Sequence, residues 1–494
     1  MKTIFSVFVF LAFSIACLTQ ERIALTGFSS SQAIYNIKDF GAVGDSMTMN
    51  TKAIQASIDA CIDSGGGTVW VPAGNYIFGT IRLKSNVTLS LDHGAALLGS
   101  QNMDDYDKDL TPTREGNPEC LIFAENATHI SIEGLGVIDG RGNHIAFNRG
   151  SSPPWNPRPR LIRMENCTQL KFSGVTYKRP AFWGIYLVDC SNIHIDGVKI
   201  RFKDNNYNND GIDLDGCKNV LIENSDIVAG DDAICLKSSL DPCENIVVRN
   251  CKISSNTAPL KFGTSSSGGF INVTVTNCYF YDSPMGVIKL ELVDGGRLEN
   301  VDISRIKMEN VGNPIFIRLG NRGRDFTKKT SNESYGLKDS KDEGVPVGIL
   351  RDIRISDVVA EVTLVPYDPN GGAPYQKQDL KRQKYDPIKQ AVKEKSRSGP
   401  IMITGIPGHY VEDVRFENID ISYPGGGTMV DAENTVAEDE KRYPEQFFFG
   451  VLPAWGAYIR HAKNIEFINV KLTSRSDDKR EMIVLDDVES FVEK

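Results

Sequence analysis

Two stretches decide the fold: Asn219-Val220-Leu221-Ile222-Glu223-Asn224 and, 26 residues further on, Asn245-Ile246-Val247-Val248-Arg249-Asn250. Each opens on Asn, alternates apolar and polar residues, and closes on Asn; such alternation is strand periodicity. The unit recurs as Asn192-Ile193-His194-Ile195-Asp196-Gly197, Asn272-Val273-Thr274-Val275-Thr276-Asn277 and Asn300-Val301-Asp302-Ile303, so the steps between leading Asn residues are 27, 26, 27 and 28. A weaker copy begins at Gln169, and others at Asp352, Asp413 and Asn464 follow after 52, 61 and 51 residues. A unit this short cannot bury its apolar side alone, and a step of about 25 residues is too short for a propeller blade. The pattern therefore predicts an all-β chain, a right-handed single-stranded parallel β-helix whose coils each supply about three short strands and stack ~4.8 Å apart.

The cysteines follow the same period. Cys167, Cys190 and Cys217 each lie two residues before the repeat's Asn or Gln, while Cys251 and Cys278 each follow the closing Asn. They are expected to stack as buried packing residues, with Asn at the turns, and not to serve as nucleophiles or metal ligands. An open β-helix also exposes strand edges that need covering. Asn50 to Ile62 reads as a short amphipathic capping helix, with Ile54, Ile58 and Cys61 on one face and Gly65-Gly66-Gly67 ending it. One catalytic domain is expected over residues 33–490, with C-terminal loop insertions near 321–344, 367–398 and 426–446, where the repeat interval lengthens.

With 494 residues, 55 basic against 64 acidic side chains and a formal net charge of −9, the chain is neither a generic nucleic-acid binder nor a highly charged disordered one. A polyanionic substrate would need basic residues gathered locally. The stretch from Lys377 to Arg397 is one such concentration, with eight basic residues against three acidic ones; a solvated helix face on an insertion is the plainer reading. At the N-terminus, Lys2 precedes an apolar run from Ile4 to Ala16, which reads as a secretory signal over residues 1–17. Ser14-Ile15-Ala16-Cys17 fits cleavage after Ala16, with or without acylation of Cys17. The expected location is secreted or periplasmic, with a lipid anchor to the outer membrane as the variant. Removing Cys17 leaves nine cysteines, so complete pairing within one chain is impossible.

The carboxylates that carry chemistry lie in Asn208-Asn209-Asp210-Gly211-Ile212-Asp213 and Gly230-Asp231-Asp232. Asp210 and Asp232 are 22 apart, about one coil, so a solenoid sets them on adjacent coils and one face. Carboxylates that close push their pKa values apart, leaving one protonated as an acid and another ionised as a base. Glycoside hydrolysis requires that division, and a wide separation leaves room for a water and inverts the anomeric centre. Asp, Asn and Gly also populate turns, but the adjacent pair Asp231-Asp232 brings repulsion without structural benefit. Asp213 and Asp215 share strand parity and divide evenly between the cleft and a structural role.

At these residues the chain resembles glycoside hydrolase family 28, the polygalacturonase family. Ile37-Lys38-Asp39-Phe40-Gly41-Ala42-Val43-Gly44-Asp45, Gly65-Gly66-Gly67-Thr68-Val69 and Val71-Pro72-Ala73-Gly74 look like that family's entry into its β-helix. Asn208-Asn209-Asp210-Gly211 is similar to its N-x-D-G motif and Gly230-Asp231-Asp232 to its G-D-D motif. The resemblance implies Asp231 as general acid, Asp210 and Asp232 as the pair that activates water, and neither metal nor other cofactor. Two departures stand out. The family's Gly-His-Gly is replaced by Ser255-Asn256-Thr257-Ala258-Pro259, and its Arg-Ile-Lys by Val287-Ile288-Lys289. The family's His and Arg assist the acid and grip a galacturonate carboxylate, and Val cannot replace a bidentate Arg. Other branches, including rhamnogalacturonan hydrolases, also lack the His.

Lys289, Lys261, Asn208 and Arg318 are the expected substrate contacts, with Arg322 a further candidate for the missing Arg. Trp155, Trp183 and Trp455 could stack on sugars, although single Trp residues are more often packing; His409 and His461 read as structural. The expected function is inverting hydrolysis of pectin-type polysaccharide or oligosaccharide, galacturonate- or rhamnogalacturonan-containing. Two alternatives stay open: a calcium-dependent polysaccharide lyase using the Asp cluster as oxygen ligands, and a non-catalytic carbohydrate-binding β-helix.

Overall fold

Asn219, Asn245, Asn272 and Asn300 all have left-handed backbone (φ +56, +58, +56 and +56), a conformation in which Asn is among the best-tolerated non-glycine residues. Their side chains form one ladder: Asn219 donates to Asn192 at 3.2 Å, Asn245 to Asn219 at 3.0 Å, Asn272 to Asn245 at 3.0 Å and Asn300 to Asn272 at 2.7 Å. A second ladder runs through the closing residues, from Asn277 to Asn250, Asn224 and Asp196. Each Asn turns the chain and ties its coil to the one before it.

In a computed structural model of the chain, residues 33–116, 118–147, 157–202, 208–324, 326, 344–363 and 399–494 are described. The signal segment, residues 367–398 and Trp155 lie outside these. Three parallel sheets run the length of the molecule, each built by pairing a strand with its counterpart one coil on. Ser191–Asp196 pairs Lys218–Glu223, which pairs Cys243–Arg249. Lys199–Arg201 pairs Asp226–Ala229 and then Lys252–Ser255. Ile185–Val188 pairs Ile212–Asp215, Ile234–Ser238, Leu260–Ser266, Ile288–Leu292 and Ile315–Leu319 in turn. The chain is thus a parallel β-helix, and one continuous apolar core fills it.

Cys167, Cys190 and Cys217 form a buried column joined by Cys243, all with free thiols. The thiols of Cys190, Cys217 and Cys243 donate to the carbonyls of Met164, Leu187 and Leu214 on the preceding coil, at 3.3–3.4 Å. Cys251 and Cys278 are likewise free and buried. The capping helix spans Thr51–Asp63 and turns Ile54, Ser57, Ile58 and Cys61 inward. Asn50, at its start, spends its Oδ1 on the Val43 N–H at 2.7 Å, outside the helix. At the other end the last strand, Glu481–Glu493, is largely exposed. The stretch between the strands Val411–Tyr423 and Ala454–Ser474 returns along the β-helix and carries Tyr443 and Glu445 to the side where the acidic residues lie.

Asn272 makes ladder bonds on both sides, so Asn272→Ala loses two hydrogen bonds and replaces Asn by a residue less tolerant of its left-handed backbone. A destabilisation of about 1–3 kcal/mol in urea unfolding is expected. Asn272→Asp, which still accepts from Asn300, falls between it and wild type.

Candidate active site

The strand register builds the site. Ile212 pairs with Ile234 and Ile234 with Leu260, so Asp210 stacks on Asp232, and Thr257 on Asp231, from three consecutive coils. Two glycines permit this approach: a Cβ on Gly211 would lie 2.4 Å from the Ala233 carbonyl, and one on Gly230 2.9 Å from that of Phe202. Asn209 anchors the first acidic stretch by donating to the carbonyls of Pro180 and Phe182 at 2.9 and 3.1 Å. Its neighbour Asn208 receives the Arg158 guanidinium at 2.9 Å.

Asp210, Asp231 and Asp232 are 3%, 5% and 5% exposed, and one oxygen from each lies within 4.8 Å of the others. Burial raises Asp210 well above the carboxylate range, and the nearby charges of Asp213 and Asp231 raise it further. Burial works against ionised Asp232 too, but there Lys261, Lys289 and Lys237 outweigh it and draw the group below its ordinary value. Lys261 Nζ stands 3.2 Å from Asp232 Oδ2. Thr257 Oγ1 contacts Asp231 at 3.0 Å and Asp232 at 2.8 Å. A hydroxyl carries one proton, so it donates to one carboxyl and accepts from the other. With Asp232 drawn toward its ionised form, the Thr257 proton is directed at Asp232 and its oxygen is left facing Asp231. Thr257 thus stands in the stretch that lacks the histidine, oriented by its backbone N–H bond to Ser255 at 2.9 Å.

The remaining sequence-selected residues divide. Lys261 and Lys289 come to the acids, but both are also bound by Glu445, and Tyr443 accepts from Lys261 at 3.2 Å. Asp213 is fully buried against Lys237 at 3.4 Å, beside the cluster. Asp215 accepts from the Ser239 N–H and hydroxyl, each at 2.8 Å, and is structural. Arg318 points away, spending its guanidinium on Thr404, Gly405, Glu438 and Asp439. Arg322 pairs with Asp294, its Nε 2.9 Å from the carboxylate. Trp183 is buried beneath Arg160 and Lys237; Trp455 is half-buried against Tyr423. His461 bridges Asp487 and Glu438, and His409 sits in an exposed turn.

Thr257, Lys237, Tyr443 and Glu445 were not selected from sequence. Coil register could have found the first two; Glu445 is 184 residues from Lys261 and left no periodic signal. The three aspartates are a donor set that a cation could use, but Lys237, Lys261 and Lys289 already supply the counter-charge. A second grouping, His194, Asp196 and Glu223, is tied up by Asn224 on Asp196 and Arg249 on Glu223.

Residues 61–335, more than half of the chain, match the family described as Glycosyl hydrolases family 28. The chain belongs to that family. A probable polygalacturonase of Vitis vinifera is 31% identical over 61% of this chain and 66% of its own length, so the aligned part spans just under two thirds of that relative. Among solved structures, the family 28 exopolygalacturonase of Yersinia enterocolitica superposes with a TM-score of 0.65 at 20% identity, covering 94% of this chain and 78% of that one. The hyperthermoactive exopolygalacturonase of Thermotoga maritima gives 0.62 at 23% identity, covering 80% and 88%. At these identities the structural likeness establishes the β-helix fold.

The buried acids set a pH dependence. Burial pushes Asp213 from an ordinary 3.8 to about 7, although Lys237 opposes it, and pushes Glu291 from 4.5 to about 8 against the pull of Lys261. Both bind a proton more tightly folded than unfolded, so their contribution is full below pH 4 and is lost as the pH rises through 7 to 8. Melting temperature is expected to fall across that window, and Glu291→Gln is expected to flatten the fall in a calorimetric pH series.

Proposed function

We propose that this chain is an exported O-glycosidase that hydrolyses pectin-type polysaccharide or oligosaccharide by single displacement with inversion. The observation that carries the reading is the asymmetry across one hydroxyl: Thr257 reaches both Asp231 and Asp232, and Lys261 draws Asp232 toward its ionised form. Asp231 protonates the departing glycosidic oxygen, and Asp232 takes a proton from the attacking water, with Asp210 completing the water's site. Atoms balance: one C–O bond breaks, one forms from water, and the proton lost to Asp232 replaces that given by Asp231.

Common inverting pairs stand about 6.5–9.5 Å apart, whereas here the nearest oxygens lie within 4.8 Å. The family membership supports a glycosidase of pectin-type chains.

The lyase reading is disfavoured by charge. A lysine base would have to be neutral, but Lys261 is held well above its ordinary value by Asp232, and Lys237 by Cys235 and Asp213, among others, despite burial. A binding module would gain nothing from buried carboxyls driven to opposite protonation states.

Asp231→Asn and Asp232→Asn are each expected to lower kcat by about 10²–10⁴-fold with folding intact. Proton NMR of the earliest product is expected to show the anomer opposite to the bond cleaved and no unsaturated sugar; the retained anomer would overturn the single displacement. Thr257→Val is expected to cost about 10–100-fold in kcat, the worth of a hydrogen bond to a charged group, and to alter the acid and base limbs of the pH–rate profile. Thr257→Ser, which keeps the hydroxyl, is expected to keep both.

A further inference from the structure

The basic side of the site is neutralised from within the molecule. Lys289 and Lys261 sit in one column of paired residues, and both meet the carboxylate of Glu445, which lies 3.5 Å from Lys261. All three side chains are buried. Lys261 divides itself between Glu445 and Asp232, and Lys237 is paired with Asp213 at 3.4 Å. A little further along, Arg322 and Arg324 share Asp294. Among the described residues, each of these cations already has its carboxylate.

Glu445 is not a mobile visitor. Gln446 beside it donates to the Pro400 carbonyl at 2.9 Å, and Phe447 and Phe448 pack with Met285 against Tyr443. Tyr443 lies against Lys261 and faces Arg322 with its ring. The segment is thus fastened on both sides of the carboxylate it delivers. A uronate entering next to Asp232 would bring a third carboxylate to Asp232 and Glu445, with no unpaired ammonium to receive it. Like charges at that distance are unfavourable, and specificity is commonly built from such repulsion. The hydroxyls of a neutral sugar instead donate to both carboxylates.

We propose that Glu445 is a specificity-determining residue: its carboxylate fills the acidic-group position beside Lys261 and Lys289, so that the sugar seated against Asp232 is a neutral one. Uronates are admitted at other positions along the substrate, and a chain alternating neutral and acidic sugars fits best. This inference rests on the glycosidase reading above.

The test compares oligogalacturonates with oligosaccharides alternating rhamnose and galacturonate, using wild type, Glu445→Gln, Glu445→Asp and a control, Glu489→Gln, which alters an exposed pair with Lys463. Wild-type kcat/KM is expected to favour the alternating chain by at least about tenfold. Glu445→Gln is expected to lower KM for oligogalacturonate about tenfold by freeing a buried ammonium, Glu445→Asp to return toward wild-type selectivity, and the control to match wild type. The paired change Lys289→Met with Glu445→Leu removes both charges together and is expected to keep the neutral preference. Wild type favouring oligogalacturonate, an unchanged KM in Glu445→Gln, or loss of the preference in the paired change would overturn the proposal. If neither substrate is hydrolysed, the glycosidase reading fails, and equilibrium binding of the same oligosaccharides still decides this one. A gain in oligogalacturonate affinity in Glu445→Gln then supports it, and no gain overturns it.

Discussion

Vertical register between coils is the constraint from which the rest follows. A parallel β-helix has no long-range sheet order to arrange; each coil pairs with its neighbours through backbone hydrogen bonds, and residues about one turn apart in sequence become neighbours in space. Here the Asn ladders hold that register at the turns. The pairing of Ile212 with Ile234 and Leu260 carries it into the sheet bearing the acids. Slip one coil by a residue and the side chains of that strand exchange faces, which would separate Asp210 from Asp232 and Thr257 from Asp231. The cysteine column and the glycines at 211 and 230 serve the same end, close approach of one coil to the next.

That register also makes unlike environments from like residues. Asp210 and Asp232 are one coil apart and equally buried, yet burial and neighbouring carboxylates raise the first, while the lysines on the following coils draw the second down. The gradient runs along the axis of the helix, from Asp213 and Asp210 toward Lys261 and Lys289. A substrate lying across it meets a carboxyl pushed toward its protonated form and then one pulled toward its ionised form. Thr257 marks the boundary, because its single proton serves only one of the two carboxylates it touches.

Whatever repeated was legible in the sequence. The Asn-led units gave the fold and the ladders, the thiols their column, Ile54, Ile58 and Cys61 the cap, and the spacing of 22 brought Asp210 to Asp232. What repetition does not encode was missed. Thr257 has the appearance of an ordinary turn residue until the coil beneath it is known to hold Asp231. Glu445 comes from a return segment that obeys no period, so its pairing with Lys261 and Lys289 is invisible in one dimension, and those lysines looked free for substrate. Arg318 had the right strand position, stacked on Glu291, but its length carries the guanidinium to carbonyls of the same return segment.

The proposed chemistry depends on unequal protonation of three neighbouring carboxyls. Neutron diffraction from a deuterated crystal at mildly acidic pH measures it directly. The expected map shows a deuteron on Asp231 directed at Thr257, the Thr257 deuteron directed at Asp232, a bare Asp232 carboxylate, and a fully charged Lys261. A deuteron on Asp232, or a Thr257 hydroxyl turned toward an ionised Asp231, would contradict it.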